Sequence, residues 1–237
     1  MKSFFTFLTN YFFELLYPRE LTCVLCHNEV EDNELCDICL GSIQFNIGRV
    51  CESCGRMILS GEYPICDNCK TLDRYYDKGI SVAIYDEYIK KLIFNFKYHD
   101  KRYIAHTMAC LMLKKVIELE LDIDFDYIVP VPLHKDRYDS RGFNQAEVIA
   151  RFMCELSGLK LNTTLKRVKS TPALNNLSLE ERHEVLNEAF ALTDEIRGNI
   201  IIVDDIFTTG TTMNSCCKVL KRNGADYILI VSFAVGR

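Results

Sequence analysis

The sequence has no apolar stretch long enough to cross a membrane, no excess of positive charge, no fixed-period repeat and no low-complexity segment. A spanning helix needs about 20 mostly apolar residues, and the longest run here is far shorter, so no transmembrane segment is expected. A formal net charge of -5 excludes a generally basic protein that coats nucleic acid. The aromatic stretch Met1–Pro18 is interrupted by Thr9, Asn10 and Glu14, and no A-x-A-like site follows it, so it does not read as an export signal. Phe4, Phe5, Leu8, Tyr11, Phe12, Leu15 and Leu16 recur at helical spacing. Residues 1–22 are therefore expected to form an amphipathic helix that packs on the rest of the protein, with attachment to a membrane surface as the lesser alternative. A cytoplasmic location follows, with reduced thiols available for metal.

What the chain has in quantity is cysteine. It holds 12, and eight of them fall in four C-x-x-C pairs: Cys23/Cys26, Cys36/Cys39, Cys51/Cys54 and Cys66/Cys69. A C-x-x-C turn aims two thiolates at one point, and four thiolates make a closed tetrahedral zinc site with no open position for catalysis. Two structural zinc sites fit the count, either as consecutive ribbons (Cys23/Cys26/Cys36/Cys39, then Cys51/Cys54/Cys66/Cys69) or with the pairs interleaved. Iron–sulfur ligation uses other spacings, and disulfides need an exported chain. Residues 23–70 carry three basic side chains, Arg49, Arg56 and Lys70, against eight acidic ones. Such a surface gains nothing from counterion release on a phosphate backbone, which favours a structural or protein-docking ribbon. Cys110, Cys154, Cys216 and Cys217 lie on expected helices and read as small core residues.

From Gly79 the texture becomes α/β. Strands are expected at Gly79–Tyr85, Asp126–Val131, Asn199–Asp204 and Tyr227–Val235, and helices at Glu87–Phe96, Tyr103–Glu120, Asn144–Leu156 and Thr212–Arg222. The capping-box sequence at Ser178–Glu181 should open one more helix. Alternation of this kind implies crossover units and a mostly parallel sheet flanked by helices. Three units result: the helix at 1–22, the zinc module at 23–70 and an α/β domain at 71–237.

The most specific segment is IIIVDDIFTTGTT, Ile200–Thr212. It leaves a buried strand and opens a helix, the place where open parallel sheets bind ligands. Thr208, Thr209, Gly210, Thr211 and Thr212 are small, and backbone amides, hydroxyls and a helix N-terminus suit a phosphate. Asp204 and Asp205 stand where carboxylates accept hydrogen bonds from a ribose diol. Magnesium binding by the aspartates alone, or helix capping by the threonines, accounts for less of the pattern.

This segment resembles the signature of type I phosphoribosyltransferases. The resemblance implies that Asp204 and Asp205 hold the ribose hydroxyls and Thr208–Thr212 hold the 5′-phosphate of phosphoribosyl pyrophosphate. It also places the pyrophosphate, with magnesium, on the segment after DYIVP, where Leu133, His134, Lys135, Arg137 and Arg141 are candidates. With the four cysteine pairs, FKY at 96–98, VPVPLH at 129–134 and RGFNQ at 141–145, the chain is similar to the ComF family from Tyr17 onward. That family joins a double zinc ribbon to a type I phosphoribosyltransferase fold. Its members usually carry a glutamine near Leu174 and an asparagine near Val185, where this chain is apolar, while Arg182 and the Ala189-Phe190 pair remain. Lys97 matches a family lysine, with a role in charge or packing.

Two functions follow. The first is phosphoribosyl transfer to an unidentified acceptor, in which positioning, magnesium and water exclusion would do most of the work. No acceptor base is identifiable, and His134 is as readily a phosphate contact. The second is a non-catalytic competence protein that binds phosphoribosyl pyrophosphate and handles single-stranded DNA, with other competence-machinery proteins as partners. Sequence support for DNA is confined to Lys160–Lys169, which carries four basic residues, no acid and no aromatic for stacking.

Overall fold

The computed structural model describes residues 22–30, 35–58, 64–71, 73–98, 102–169 and 189–236. The expected N-terminal helix, the capping box at Ser178–Glu181 and the departures at Leu174 and Val185 lie outside these residues.

Helix α1 (Asp37–Gly41) and helix α2 (Asp67–Lys70) each begin directly after a ligand cysteine, Cys36 and Cys66. Strand β1 (Lys78–Ile84) is followed by α3 (Glu87–Tyr98), α4 (Ile104–Ile117), β2 (Tyr127–Pro130), α5 (Lys135–Arg141), α6 (Gln145–Ser157), β3 (Lys160–Leu161) and β4 (Leu165–Arg167). Strand β5 (Phe190–Leu192), β6 (Gly198–Phe207), α7 (Thr211–Arg222) and β7 (Ala225–Val235) complete the described elements. The main sheet has the order β1-β7-β6-β2-β3 and every pairing in it is parallel. The expected α/β class is therefore what the chain adopts.

Local chemistry explains the helices that matter. In α3, Ile89, Leu92, Ile93 and Phe96 fall at i, i+3, i+4 and i+7 and are all buried. The carboxylate of Asp86 accepts from the Ile89 amide at 2.8 Å and caps that helix. In β6, Ile200 to Val203 are buried on both faces, worth about 1.5–3 kcal/mol each, and so the strand reads as an unbroken apolar run.

The zinc module does not hang off the sheet. One apolar cluster joins Cys23, Val24, Leu25 and Cys39 to α3, α4 and one face of the sheet. The other joins Cys51, Cys54, Cys69 and Tyr76 to α7, β4, β5 and the opposite face. The segment between the ribbons also covers the free edge of β1, with Asn46 donating to Val82 and Ile84 donating to Gln44 at 2.8 and 2.9 Å. Gly55 makes the closest approach. Its φ is +71°, and a Cβ there would collide with the backbone of Gly79 and Ile80 on β1. The boundary at residue 70 is thus one of composition, since the packing runs across it.

Several elements differ from expectation. Strand β6 runs on through both aspartates to Phe207, so the turn between strand and helix is only Thr208–Gly210. The cationic segment after β2, for which no helix is expected from sequence, is helical: His134 caps α5 and Gly142 closes it. The strands β4 and β5 form a separate antiparallel pair that no short-range pattern announces. Cys216 and Cys217 are buried as expected, whereas Cys110 is exposed.

Candidate functional site

The cysteines gather as two consecutive groups, Cys23/Cys26/Cys36/Cys39 and Cys51/Cys54/Cys66/Cys69, the sulfurs of each lying within 4.8 Å of one another. The interleaved arrangement is ruled out. Cys26 and Cys36 sulfurs are 3.6 Å apart, and Cys54 and Cys66 sulfurs 3.7 Å apart. A tetrahedron with zinc–sulfur bonds of about 2.3 Å has edges of about 3.8 Å, so both groups fit the ion. The Cys66 amide donates to the Cys51 sulfur at 3.3 Å, the contact expected of a thiolate. The Cys54 thiol, donating to Cys51, holds Cys51 well below the ordinary thiol range and is itself pushed up by the same contact. A divalent cation removes that conflict, because all four groups can then be thiolates.

The second site lies at the carboxyl edge of the sheet. Gly210, with φ of +80°, turns the chain from β6 into α7, and a side chain there would collide with the Phe207 ring beneath it. Thr209 and Thr211 hydroxyls share a hydrogen bond of 2.9 Å. Thr208 is exposed, Thr209, Gly210 and Thr212 are half-buried, and Thr211 is fully buried. Gly210, the residue that caps α7, brings no side chain to the first amides of the helix.

Beside this cradle stand the two aspartates. Asp205 is buried, and Lys97 from the end of α3 meets its carboxylate at 2.5 Å. This gives Lys97 a definite place, one its sequence position left open. Burial raises the Asp204 carboxyl well above the usual range, and the adjacent Asp205 charge adds to the effect. A carboxyl with a raised pKa contributes stability that is present below about pH 4 and is lost as pH rises through its native value. In the ligand-free protein, Asp204→Asn should therefore be more stable than wild type at pH 7. That advantage should disappear towards pH 4, as read from denaturant midpoints across the range.

The segment after β2 reaches the same edge. Pro130 pairs with Val203, and the Val131 amide donates to the Val203 carbonyl at 2.9 Å, one residue before Asp204. Leu133 is half-buried in the turn that follows. The His134 ring accepts from the Asp136 amide and lies 3.1 Å from its carboxylate. Lys135 and Arg137 are exposed. Arg141 is otherwise engaged: it donates to Gln145 at 2.9 Å and to the Tyr98 hydroxyl at 3.1 Å, with its guanidinium over the Tyr98 ring. The rest of RGFNQ is structural. Phe143 enters the core against Phe96, and Asn144 caps α6 while its amide donates to the Val131 carbonyl at 3.0 Å. The motif ties the cationic helix to the strand that positions it.

Residues 12–70 match the family described as the double zinc ribbon domain. The chain is 29% identical over 227 residues to Competence protein F of Haemophilus influenzae, covering 85% of this chain and 97% of the relative. The chain is similar to that protein over most of its length. It is also 29% identical over 201 residues to the DNA utilization protein YhgH of Salmonella typhimurium, covering 83% of this chain and 88% of that one. Among solved structures, adenine phosphoribosyltransferase from Saccharomyces cerevisiae aligns over 70% of this chain and 82% of its own, at 14% identity and a TM-score of 0.37. The two cysteine groups of this chain are zinc-ribbon sites, and no helix among the described residues is long and apolar enough to cross a membrane.

Sequence reading missed two residues at this edge. Arg56 of the second ribbon donates to the Thr208 carbonyl, and Asn214 of α7 bonds the segment that leaves the ribbon. No motif marks either one.

Proposed function

We propose that the chain binds phosphoribosyl pyrophosphate at the carboxyl edge of β6, as a phosphoribosyltransferase-type protein whose acceptor is unidentified. The observation that carries the reading is the left-handed turn at Gly210. It sets three small residues and the open N-terminus of a 12-residue helix directly after two strand-borne carboxylates. In this reading Thr208, Thr209, Gly210, Thr211 and Thr212 hold the 5′-phosphate, and Asp204 with Asp205 hold the ribose. Leu133, His134, Lys135 and Arg137 lie towards the pyrophosphate, with Arg141 supporting them from Tyr98. The cytoplasm, where the ligand and reduced thiols coexist, is the matching compartment.

Among the described residues, groups of three or more metal-ligating side chains occur only as the two cysteine sets. Magnesium would be held by the phosphates of the ligand, where it would neutralise charge on the leaving pyrophosphate. The protein's share is to position the ribose, donate to the phosphates and exclude water. Calorimetry with magnesium and phosphoribosyl pyrophosphate tests the assignment. Asp204→Asn with Asp205→Asn should weaken binding at least 30-fold, on the order of 2 kcal/mol for lost charge-assisted hydrogen bonds. Unchanged affinity would remove the ligand from the reading.

A second reading, a non-catalytic competence protein that handles single-stranded DNA, draws on the names of the relatives, one of them a DNA utilization protein. The basic stretch supplies exposed Lys160, Lys166 and Lys169 around β3 and β4, while Arg167 lies over the Phe190 ring. Charge reversal at Lys160 and Lys166 is thus a cleaner test than reversal at Arg167. If this surface grips DNA, the double variant should lose most of a salt-dependent affinity for an oligonucleotide and flatten its salt slope by about 1.4. Pyrophosphate release, assayed with a panel of nucleobases, amines and DNA, separates transfer from binding alone.

A further inference from the structure

The second ribbon and the phosphate loop are in direct contact. Arg56 follows Cys54 on a short turn, closed by pairing of Val50 with Met57, and its Nη2 donates to the backbone carbonyl of Thr208. Across a narrow cleft, Arg56, Asn68 and Arg74 face Thr209 and Gly210, with the Phe207 ring beside them. A second fastening lies in the first turn of α7. The Asn214 side chain accepts from the Tyr75 amide at 2.9 Å and donates to the Asp73 carbonyl at 2.8 Å, which pins the chain leaving the ribbon. The first ribbon is joined elsewhere: Tyr88 donates to the Cys39 carbonyl and Asn95 to the Val24 carbonyl, both from α3. The two ribbons are therefore unequal in their relation to the loop.

The contact has a directional consequence. A trans peptide is planar, with its C=O and N–H pointing in opposite directions. A guanidinium that fixes the Thr208 carbonyl towards the ribbon therefore turns the Thr209 N–H away from it. Thr208–Gly210 is short and built of small residues, and the Arg56 contact acts directly on the carbonyl of its first peptide. Ordering it before a ligand arrives spares the ligand that entropy.

We propose that Arg56 is a positioning residue for the phosphate loop: through the Thr208 carbonyl it sets the Thr208–Thr209 peptide in the orientation that receives a sugar phosphate. The second zinc ribbon is then a working part of the ligand site, and its metal serves as the foundation of the arm that shapes the loop. This rests on the phosphoribosyl pyrophosphate reading for the identity of the ligand and on geometry alone for the ordering of the loop.

The test uses the full zinc-loaded chain with Arg56→Ala and Arg56→Lys. Amide hydrogen exchange of the segment 208–212, measured without ligand, should accelerate at least tenfold in the alanine variant and recover in the lysine variant, which keeps a cationic donor. Zinc should stay at two per chain in both. Calorimetric affinity for phosphoribosyl pyrophosphate should fall about tenfold in the alanine variant and return to within about threefold of wild type in the lysine variant. Exchange rates unchanged in Arg56→Ala would overturn the proposal, and so would equal losses in both variants. If the alanine variant releases zinc, Arg56→Gln, which keeps the bulk and loses the charge, is read in the same assays with the same outcomes. Asp204→Asn is run alongside. Should it bind the ligand as wild type does, the ligand reading fails while loop exchange still decides the role of Arg56.

Discussion

Stripping zinc with a strong chelator should abolish cooperative unfolding of the whole chain, the sheet included. Structural zinc sites supply an apparent 10–16 kcal/mol or so each in ribbon-sized peptides at neutral pH, as much as the roughly 5–15 kcal/mol that holds an ordinary domain together. The effect reaches the sheet because the ligands are core residues. Cys23 and Cys39 lie in the cluster of Ile89 and Phe96, and Cys51, Cys54 and Cys69 lie in the cluster of Ile200 and Ile230. Removing both ions leaves sets of four crowded thiols that cannot all ionise, and the contacts that join each set to the sheet go with them. Metal analysis should give two zinc per chain before treatment, and near-ultraviolet circular dichroism should collapse after it. A sheet that still melts cooperatively at its former temperature once zinc-free would refute the shared core. One zinc per chain, or iron, would refute the two-site assignment.

The second large effect is expected at Lys97. Its ammonium meets the Asp205 carboxylate at 2.5 Å, with only 16% and 10% of the two side chains exposed. Breaking a pair of this kind from one side strands a buried charge, which costs about 3–5 kcal/mol, whereas the intact pair contributes little net stability against an apolar replacement. Lys97→Met should therefore destabilise the protein by about that amount at pH 7, measured from urea midpoints. Adding Asp205→Asn to the same chain should recover most of the loss, because the stranded charge is gone. Independent, additive losses would show that the two side chains do not act as a pair. The lysine's place also bears on ligand binding, since it neutralises one of the two carboxylates beside the phosphate loop. Without it, two adjacent aspartates would repel an incoming polyphosphate.

The parts of this molecule legible in the sequence are those whose chemistry is local. Four C-x-x-C turns announce two metal sites, and an apolar run followed by DDIFTTGTT announces a strand, a turn and a helix, because each signal sits within a dozen residues. The pairing of the cysteines was open because consecutive and interleaved schemes use the same spacings. Helix α5 is not legible in the sequence because it buries no residue and so leaves no periodic apolar pattern. The β4–β5 pair joins segments too far apart in sequence for any turn signal to connect them. RGFNQ advertises a charge, yet its arginine turns to Tyr98 and Gln145, its phenylalanine to the core and its asparagine to the cap of α6. Arg56 stands in the sequence as one of three basic residues in an acidic module, and nothing in its neighbours foretells that it reaches Thr208, 152 positions along the chain. Long-range contacts made by single polar side chains leave no periodic trace.

The position of β7 has a consequence for how the molecule comes into being. It lies between β1 and β6, and Ser81 of β1 finds its partner Ser232 only 151 positions later. On the ribosome both ribbons can close on their ions while the strand that completes the sheet has yet to be made. Until it arrives, β1 can pack on α3 and α4, but its backbone pairs only with the segment between the ribbons. Topologies dominated by such distant pairings form slowly. Early metal capture would then shield the first strand and the cysteine-rich stretch during the wait, so zinc supply at the moment of synthesis would govern the yield of intact protein.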